Sequence, residues 1–248
     1  MTRALLRYLG MLAGWLELTL FTLFLYLLSF IPQAWHSTTY KRLFRSWSKV
    51  WVSALGVDLR LHQHNRDDLP EHYLMIANHP SAFEDIGIPA LFEVDCLAKQ
   101  EVRHWFLVGR ISDAAQTLYV NRESRTSRQQ ATAQIVAALH QGRNVALYPE
   151  GGVKGKRLHE RFQYGAFSIS LSTGIPILPV FIHYEAQEDF YWGKESLPRK
   201  ILQIMGARNN RANYHVFDAY YPEDFETREA YCEAVYQQYQ QWQSRFLD

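Results

Sequence analysis

The chain has 248 residues, of which 48% are hydrophobic and 15% aromatic. This composition supplies the core of a folded α/β chain and excludes an intrinsically disordered one. The formal net charge of +1 gives no sign of a nucleic-acid partner, and the two cysteines, Cys96 and Cys232, lie far apart without a surrounding motif. We therefore expect neither a disulfide scaffold nor a cysteine zinc site, and we expect a reducing compartment.

The N-terminal segment is strongly apolar. The run Leu18–Ile31 carries no charge. Extended back to Met11, it reaches the roughly 20 residues that a membrane-spanning helix needs. The extension includes Glu17, which we expect near an interface or against protein because a charge inside a bilayer is costly. A cleaved signal peptide is the alternative, but no small-residue cleavage site follows the run.

Residues 40–56 predict a basic amphipathic helix. Its apolar face consists of Leu43, Phe44, Trp47, Val50, Trp51 and Leu55, and its basic residues are Lys41, Arg42, Arg45 and Lys49. Such a helix suits an anionic membrane surface, while a core helix with a solvated basic face is the alternative reading. We predict that residues 1–56 form a membrane anchor and that residues 57–248 form an α/β domain.

From residue 57 onwards, strand patterns alternate with helical ones. Strands are predicted within 57–64, 73–79, 95–101, 117–123, 144–151 and 176–184, and helices within 86–95, 124–142, 164–174 and 228–246. This order predicts a layered α/β fold with a mixed sheet that binds its ligand where the strands end. His62 and His64, close to Asp67 and Asp68, are interpreted as one face of an edge strand, because a complete metal-ligand spacing is missing.

Four polar motifs follow these strands in order. They read "NHPSAFED" at 78–85, "YVNRE" at 119–123, "LYPEGGVKGKRL" at 147–158 and "TGIPILPVFI" at 173–182. With an apolar segment in front, this ordered set resembles the glycerolipid acyltransferase family, whose members acylate 1-acylglycerol-3-phosphate and related lysolipids. The resemblance covers Met75 to Ile182 and implies a layered α/β acyltransferase domain behind the anchor.

The resemblance also implies catalytic roles. His79 would be the general base that takes the proton from the acceptor hydroxyl, and a carboxylate would orient its imidazole. Two acids remain open for that second role. The family's spacing favours Glu84, whereas Asp85 with Ile86 resembles the family's Asp-Ile pair after a one-residue insertion.

Substrate-binding roles follow in the same way. Arg122 would grip the acceptor's phosphate with two parallel hydrogen bonds. Glu150 and Gly151 would shape the acceptor site, and Pro176 and Pro179 would stiffen its wall. The further binding candidates are Asn78, Ser81, Tyr148, Gly152 and Lys154. Tyr148 stands where the family has Phe, and Gly152 where Thr is common, so a hydroxyl that could contact phosphate is absent there.

The expected function is that of a membrane-associated O-acyltransferase. It would move a fatty acyl group from acyl-CoA or acyl carrier protein to the hydroxyl of a lysophospholipid such as 1-acylglycerol-3-phosphate, without a cofactor, a metal ion or nucleic acid. Its expected partners are membrane lipids, at the cytoplasmic face of a bacterial inner membrane. The alternatives are another acceptor such as a lyso-aminolipid, a non-catalytic lipid-binding protein, and a hydrolase, which the missing Gly-x-Ser-x-Gly motif disfavours.

Overall fold

The computed structural model of the protein describes residues 2–32, 37–193 and 195–248, so Met1 and residues 33–36 of the expected anchor lie outside it. The helices are α1 (Thr2–Leu28), α2 (Ser37–Ala54), α3 (Glu84–Leu91), α4 (Val108–Ala114), α5 (Arg125–His140), α6 (Gly165–Thr173), α7 (Gln187–Phe190), α8 (Leu197–Gly206) and α9 (Arg228–Leu247). The strands are β1 (Asp58–Gln63), β2 (Leu74–Ala77), β3 (Asp95–Lys99), β4 (Leu118–Val120), β5 (Val145–Leu147), β6 (Ile177–Tyr184) and β7 (Arg211–Val216).

The strands form one seven-stranded sheet in the order β1-β7-β6-β2-β5-β3-β4. All neighbouring pairs are parallel except β6 and β7, so the predicted layered α/β fold with a mixed sheet is confirmed. The central strand β2 is buried along its whole length, as expected for a parallel strand covered on both faces. Because β2, β5 and β6 run parallel, the segments that follow β2 and β5 meet at one edge of the sheet.

Four of the helices and strands that the structure describes are missing from the sequence prediction: α4, α7, α8 and β7. The strand β7 was overlooked because its buried positions include Asn213 and His215, which are polar. Both find hydrogen-bond partners on adjacent strands, which removes the cost of burying them. Helix α3 also begins earlier than predicted, at Glu84, so that both acids of the first motif lie in its first turn.

Helices α1 and α2 form an antiparallel hairpin. The Nε1 of Trp47 donates to the Oγ1 of Thr22 over 2.8 Å, and Ala54, further along α2, lies against Gly14, earlier in α1. The other side of α2 packs into the core of the sheet through Val52 and Leu55. Helix α2 is thus a layer between α1 and the sheet. The division of the chain at residue 56 stays a prediction.

Two of the four basic residues of α2 pair with acids near the sheet. The Nζ of Lys41 lies 2.8 Å from Asp95, and the Nη1 of Arg45 lies 2.8 Å from Glu93. Arg42 and Lys49 are exposed. The helical spacing therefore defined the two faces of α2 correctly. Of its basic residues, two pair with acids of the protein and two are exposed.

The outer side of α1 carries an exposed apolar row. Its leucines are Leu9, Leu12, Leu16, Leu20, Leu23 and Leu27. Among the described residues, the segment Leu9–Leu28 is the one helix long and apolar enough to cross a membrane, by length and composition. It is therefore the candidate membrane anchor of the chain.

Four histidines form a hydrogen-bonded ladder across β1, β7 and β6. Asn213 donates to the Nε2 of His183, whose Nδ1 lies 3.2 Å from the Nε2 of His215. The Nδ1 of His215 lies 2.9 Å from the Nε2 of His64, while the Nε2 of His62 donates to the Oδ1 of Asn213. Each link from Asn213 to His64 needs one donor and one acceptor, so these three imidazoles fit the ladder in their neutral form.

The surroundings of the ladder act in the same direction. Burial is the main cause that lowers the pKa values of His64, His183 and His215, the last to about 3. Arg245 lowers the values of His64 and His215 further, and Glu185 alone among the named charges opposes the shift, at His183. In mildly acidic solution these three histidines therefore bind fewer protons in the folded state than in the unfolded chain.

We predict acid-sensitive stability from this ladder. A lowered pKa in the folded state means that the stability contributed by His215 is complete above pH ~6.5, the usual histidine value, and is lost progressively as the pH falls towards 3. His215→Gln should reduce the slope of unfolding free energy against pH by about 1.4 kcal/mol per pH unit between pH 5.5 and 4. His140→Gln, on the exposed end of α5, is the control. Denaturant titrations with equal slopes for both variants would contradict the prediction.

Candidate active site

The site is built on the turn between β2 and α3. The strand β2 ends at Ala77, and Asn78 then pairs with the backbone of Ile182 in β6, accepting its N–H over 2.6 Å and donating to its carbonyl over 2.8 Å. The Oγ of Ser81 donates to the carbonyl of Phe190 over 2.6 Å. Both side chains thus hold the turn against its neighbours, and their predicted contact with substrate stays a prediction.

Glu84 is the acid that contacts His79. Its Oε2 lies 2.8 Å from the Nδ1 of His79 and accepts the N–H of Ser81 over 3.1 Å, while its Oε1 accepts the hydroxyl of Tyr184. All three partners can donate, so the arrangement fits an ionised carboxylate. A proton on Nδ1 leaves the Nε2 of His79 as an acceptor, which is the form that a general base requires.

Asp85 occupies a different place. Adjacent helical residues point about 100° apart, and Asp85 faces the cavity described below rather than the Nδ1 of His79. The hydroxyl of Tyr148 lies 3.4 Å from its Oδ1, and the ring of Tyr148 stacks on that of His79 with centroids 3.9 Å apart. Asp85 therefore affects His79 by its charge and not by a hydrogen bond.

Burial dominates the electrostatics of the pair. Desolvation lowers the pKa of His79 to about 4, against the charge of Asp85, which raises it. Desolvation also raises the pKa of Glu84 well above its usual range, and the hydrogen bonds from Tyr184 and Ser81 oppose that shift. A pKa lowered in this way leaves the imidazole of His79 unprotonated at neutral pH.

Glu150 supports the same turn from β5. Its Oε1 accepts the backbone N–H of His79 over 2.7 Å, and its Oε2 accepts that of His159 over 2.8 Å. The side chain is buried. Both oxygens are thus engaged with the backbone, and Glu150 acts here by positioning His79. Its predicted contribution to the acceptor site stays a prediction.

Arg122 and the two glycines after Glu150 are in contact. The Nη1 of Arg122 donates to the carbonyl of Gly151 over 2.8 Å. Gly151 and Gly152 have φ values of +78° and +146°, which favour glycine. A Cβ at position 152 would lie 2.6 Å from the Nη1 of Arg122, so the missing side chain makes room for the guanidinium.

A cavity of about 1050 Å³ lies between the sheet and α2. His79, Asp85 and Arg122 line it, and its apolar wall includes Phe44, Trp47, Trp51, Leu97, Val102, Trp105, Leu197, Ile201 and Ile204. The structure therefore brings three of the predicted site residues to one apolar space. Lys154 instead lines a separate shallow cleft with Lys156 and Arg157.

The sequence analysis did not predict two residues that lie near the site, Tyr184 and Lys200. Tyr184 lies two residues beyond the fourth motif, and nothing local distinguishes it from a core tyrosine. Lys200 is buried in the cavity wall, where its Nζ donates to the carbonyls of Asp189 and Tyr191. Within the described part of the chain, no group of three or more His, Cys, Asp or Glu side chains could hold a metal ion. The expectation of a metal-free, cofactor-free site stays a prediction.

Comparisons with known proteins identify the family of the chain. The model of the Acyltransferase family matches residues 60–183, half of the chain. A lyso-ornithine lipid O-acyltransferase of Pseudomonas aeruginosa is 29% identical over 182 residues, which are 71% of this chain and 68% of that protein. A 1-acyl-sn-glycerol-3-phosphate acyltransferase of Neisseria gonorrhoeae is 28% identical over 118 residues, 46% of each chain, so about half of that relative is spanned.

The fold has a counterpart among solved structures. The crystal structure of the 1-acyl-sn-glycerophosphate (LPA) acyltransferase PlsC from Thermotoga maritima superposes with a TM-score of 0.61 at 18% identity. The match covers 99% of this chain and 100% of that one. At this identity the likeness concerns the fold, and it includes the N-terminal helices.

We predict that Tyr184 and Glu84 stabilise each other. Tyr184→Phe leaves an oxygen of the buried carboxylate without its donor, so the free energy of unfolding should fall by about 1–3 kcal/mol. In a Glu84→Met background the same change should cost little, because no carboxylate remains to be satisfied. Denaturant titration of the four proteins of this double-mutant cycle measures the coupling. The exposed Tyr221→Phe is the control, and equal losses in both backgrounds would refute the coupling.

Proposed function

The chain belongs to the acyltransferase family and is an O-acyltransferase, and on this premise we propose that it moves a fatty acyl group from a thioester to the hydroxyl of a lysolipid at a membrane surface. One observation carries the proposal. His79 lines a large apolar cavity, and its Nδ1 lies 2.8 Å from the buried carboxylate of Glu84, which favours the tautomer that a general base needs. The cavity offers space for hydrocarbon beside the base.

The proposed chemistry is direct transfer. The acceptor hydroxyl donates its hydrogen to the Nε2 of His79, and its oxygen attacks the thioester carbonyl as the proton moves to the imidazole. Glu84 stabilises the imidazolium that forms. When the tetrahedral intermediate collapses, the C–S bond breaks and the thiolate recovers the proton. The oxygen ester and the free thiol leave, and His79 is again neutral.

The acyl donor is proposed to be acyl-CoA or acyl carrier protein. Both present the same thioester, and the apolar cavity wall suits the fatty acyl chain that they share. The chain of the donor would lie along the aromatic side chains of α2, with its carbonyl near His79. Helix α2 then belongs to the substrate site as well as to the hairpin.

The acceptor is proposed to be a lysophospholipid such as 1-acylglycerol-3-phosphate. Arg122 lines the cavity close to His79, and a guanidinium matches phosphate with paired hydrogen bonds. The acylation of a lyso-ornithine lipid is the second candidate. It is favoured by the Pseudomonas relative, whose match extends over 71% of this chain.

The proposed location is a bacterial inner membrane, with the site on the cytoplasmic side where acyl thioesters are made. The exposed leucine row of α1 supports membrane contact, and the Pseudomonas and Neisseria relatives are bacterial enzymes. An anchored enzyme would spare its acceptor full extraction from lipid, which costs about 0.8 kcal/mol for each CH₂ group.

We predict that His79→Ala abolishes acyl transfer while the protein remains folded. Loss of the base should lower kcat by about 100-fold or more. The assay uses labelled acyl-CoA and acyl carrier protein with 1-acylglycerol-3-phosphate, other lysophospholipids and lyso-ornithine lipid in vesicles, and His140→Ala is the matched control. A variant that keeps more than a tenth of the activity would refute the role of His79. Release of free fatty acid alone would indicate a hydrolase, and inactivity with every pair a lipid-binding protein.

We also predict that Arg122→Lys weakens binding of a phosphate-bearing acceptor. Lysine keeps the charge but loses the paired hydrogen bonds, so KM for 1-acylglycerol-3-phosphate should rise about tenfold. KM for the acyl donor should stay within twofold, and so should KM for lyso-ornithine lipid, which has no phosphate. A larger rise for the donor would place Arg122 at the phosphates of the thioester carrier instead.

A further inference from the structure

An aromatic corner projects from the protein between the 3-10 helix Gln100–His104 and α4. It consists of Trp105, Phe106 and Leu107. Phe106 is 87% exposed, more than any other large apolar side chain whose exposure the structure describes, and Trp105 is 46% exposed. Phe106 therefore contributes little to the hydrophobic core, and together with the neighbouring Trp105 it forms an exposed aromatic pair of the kind that marks contact sites.

The backbone holds this corner outward. Leu107 has a φ of +62°, which is rare and costly for a residue with a branched side chain. The N–H of Val108 donates to the carbonyl of Phe106 over 2.7 Å, and the N–H of Gly109 to that of Trp105 over 2.9 Å. A Cβ on Gly109 would lie 2.1 Å from the carbonyl oxygen of Arg103, so the 3-10 helix closes tightly on α4. The corner is thus a formed feature of the fold.

The corner lies beside the end of α1. The Nε of Arg110 donates to the Oγ of Ser29 over 3.0 Å, and its guanidinium lies 3.7 Å from the ring centroid of Phe30. Phe106 stands just before α4, two residues ahead of Val108 and four ahead of Arg110. The corner is therefore joined through Arg110 to Phe30, which is exposed and directly follows the leucine row of α1 at Leu27.

The same corner borders the cavity that contains His79. Val102, Trp105 and Val108 line the cavity, and Phe106 does not. A molecule that contacts Phe106 therefore lies close to Trp105, the neighbouring residue, which belongs to the cavity wall. Arg110 supplies a cation beside the exposed ring of Phe30, an arrangement that suits a place where an apolar surface meets lipid head groups.

We propose that the aromatic corner inserts into the lipid bilayer next to α1 and marks the place where the lysolipid passes from the membrane to His79. This inference rests on the proposed lysolipid acceptor. The occupant is lipid rather than protein because Arg110 joins the corner to the end of α1, the candidate membrane anchor, whose outer side is an exposed apolar row. Phenylalanine and tryptophan beside an arginine are side chains that bury well at a membrane interface.

The test of insertion does not depend on activity. Phe106→Cys and, as the control, Tyr221→Cys are made in a chain whose Cys96 and Cys232 are replaced by Ala, and each is labelled with an environment-sensitive fluorophore. Tyr221 is also an exposed aromatic residue. It follows Tyr220, which pairs with Ile177 at the start of β6. Because β6 runs parallel to β2, this start lies at the opposite end of the strands from the site. The full chain is reconstituted in phosphatidylethanolamine and phosphatidylglycerol vesicles that carry nitroxide-labelled lipid.

We predict that lipid nitroxide quenches the label at position 106 at least threefold more than the label at position 221. Quenching at 106 by aqueous iodide alone would overturn the proposal. Protection from both quenchers would also overturn it, because it would indicate contact with protein, such as a second copy of the chain.

The passage of the acceptor is tested separately with Phe106→Ser and Tyr221→Ser. Phe106→Ser should slow transfer to a long-chain lysolipid in vesicles about fivefold or more, and leave transfer to a short-chain, water-soluble lysolipid within twofold. Tyr221→Ser should change neither rate. Equal losses on both acceptors would overturn the role in passage. Absence of transfer in the unmutated protein would refute the proposed function, while the quenching result would still decide insertion.

Discussion

The arrangement of the site depends on two buried carboxylates that hold one turn. Glu84 accepts hydrogen bonds from the hydroxyl of Tyr184, the backbone N–H of Ser81 and the imidazole of His79. Glu150 accepts hydrogen bonds from the backbone N–H groups of His79 and His159. A buried charge without partners would cost several kcal/mol, so these groups tolerate little displacement of their donors. The donors come from segments next to β2, β5 and β6. The sheet order, with β2 between β5 and β6, brings Glu84, Glu150 and their hydrogen-bond donors together around His79.

Much of this could be predicted from the sequence because the signals were local. Strand β1 follows from an alternating pattern, and β2 to β6 from short apolar runs. The polar residues at the ends of β2 and β5 follow from parallel strands sharing an edge. The choice between Glu84 and Asp85 needed the start of α3, since one residue along a helix changes the direction of a side chain by about 100°. Tyr184 lay beyond prediction because its partner is 100 residues away in the chain.

The hairpin of α1 and α2 also has contacts that the sequence pattern could not predict. Periodicity revealed that α2 has an aromatic face and basic residues, but not which neighbour each would meet. In the structure Trp47 contacts α1 and also lines the cavity, while Lys41 pairs with Asp95. Helix α2 is therefore a shared wall between the apolar α1 and the space beside His79. In the proposed function, the side chains of α2 lie between the membrane anchor α1 and the cavity in which the acyl group is transferred.

The contact between Arg122 and Gly152 has a consequence for how this sequence can change. With the guanidinium on the carbonyl of Gly151, any side chain at position 152 would meet the Nη1 atom at 2.6 Å, and the φ of +146° adds a backbone penalty. A threonine there would displace the end of the Arg122 side chain, which is flexible, and would hold the backbone in a conformation that side chains rarely adopt. The cost of a side chain at position 152 therefore depends on where the guanidinium of Arg122 lies, so the two positions are coupled.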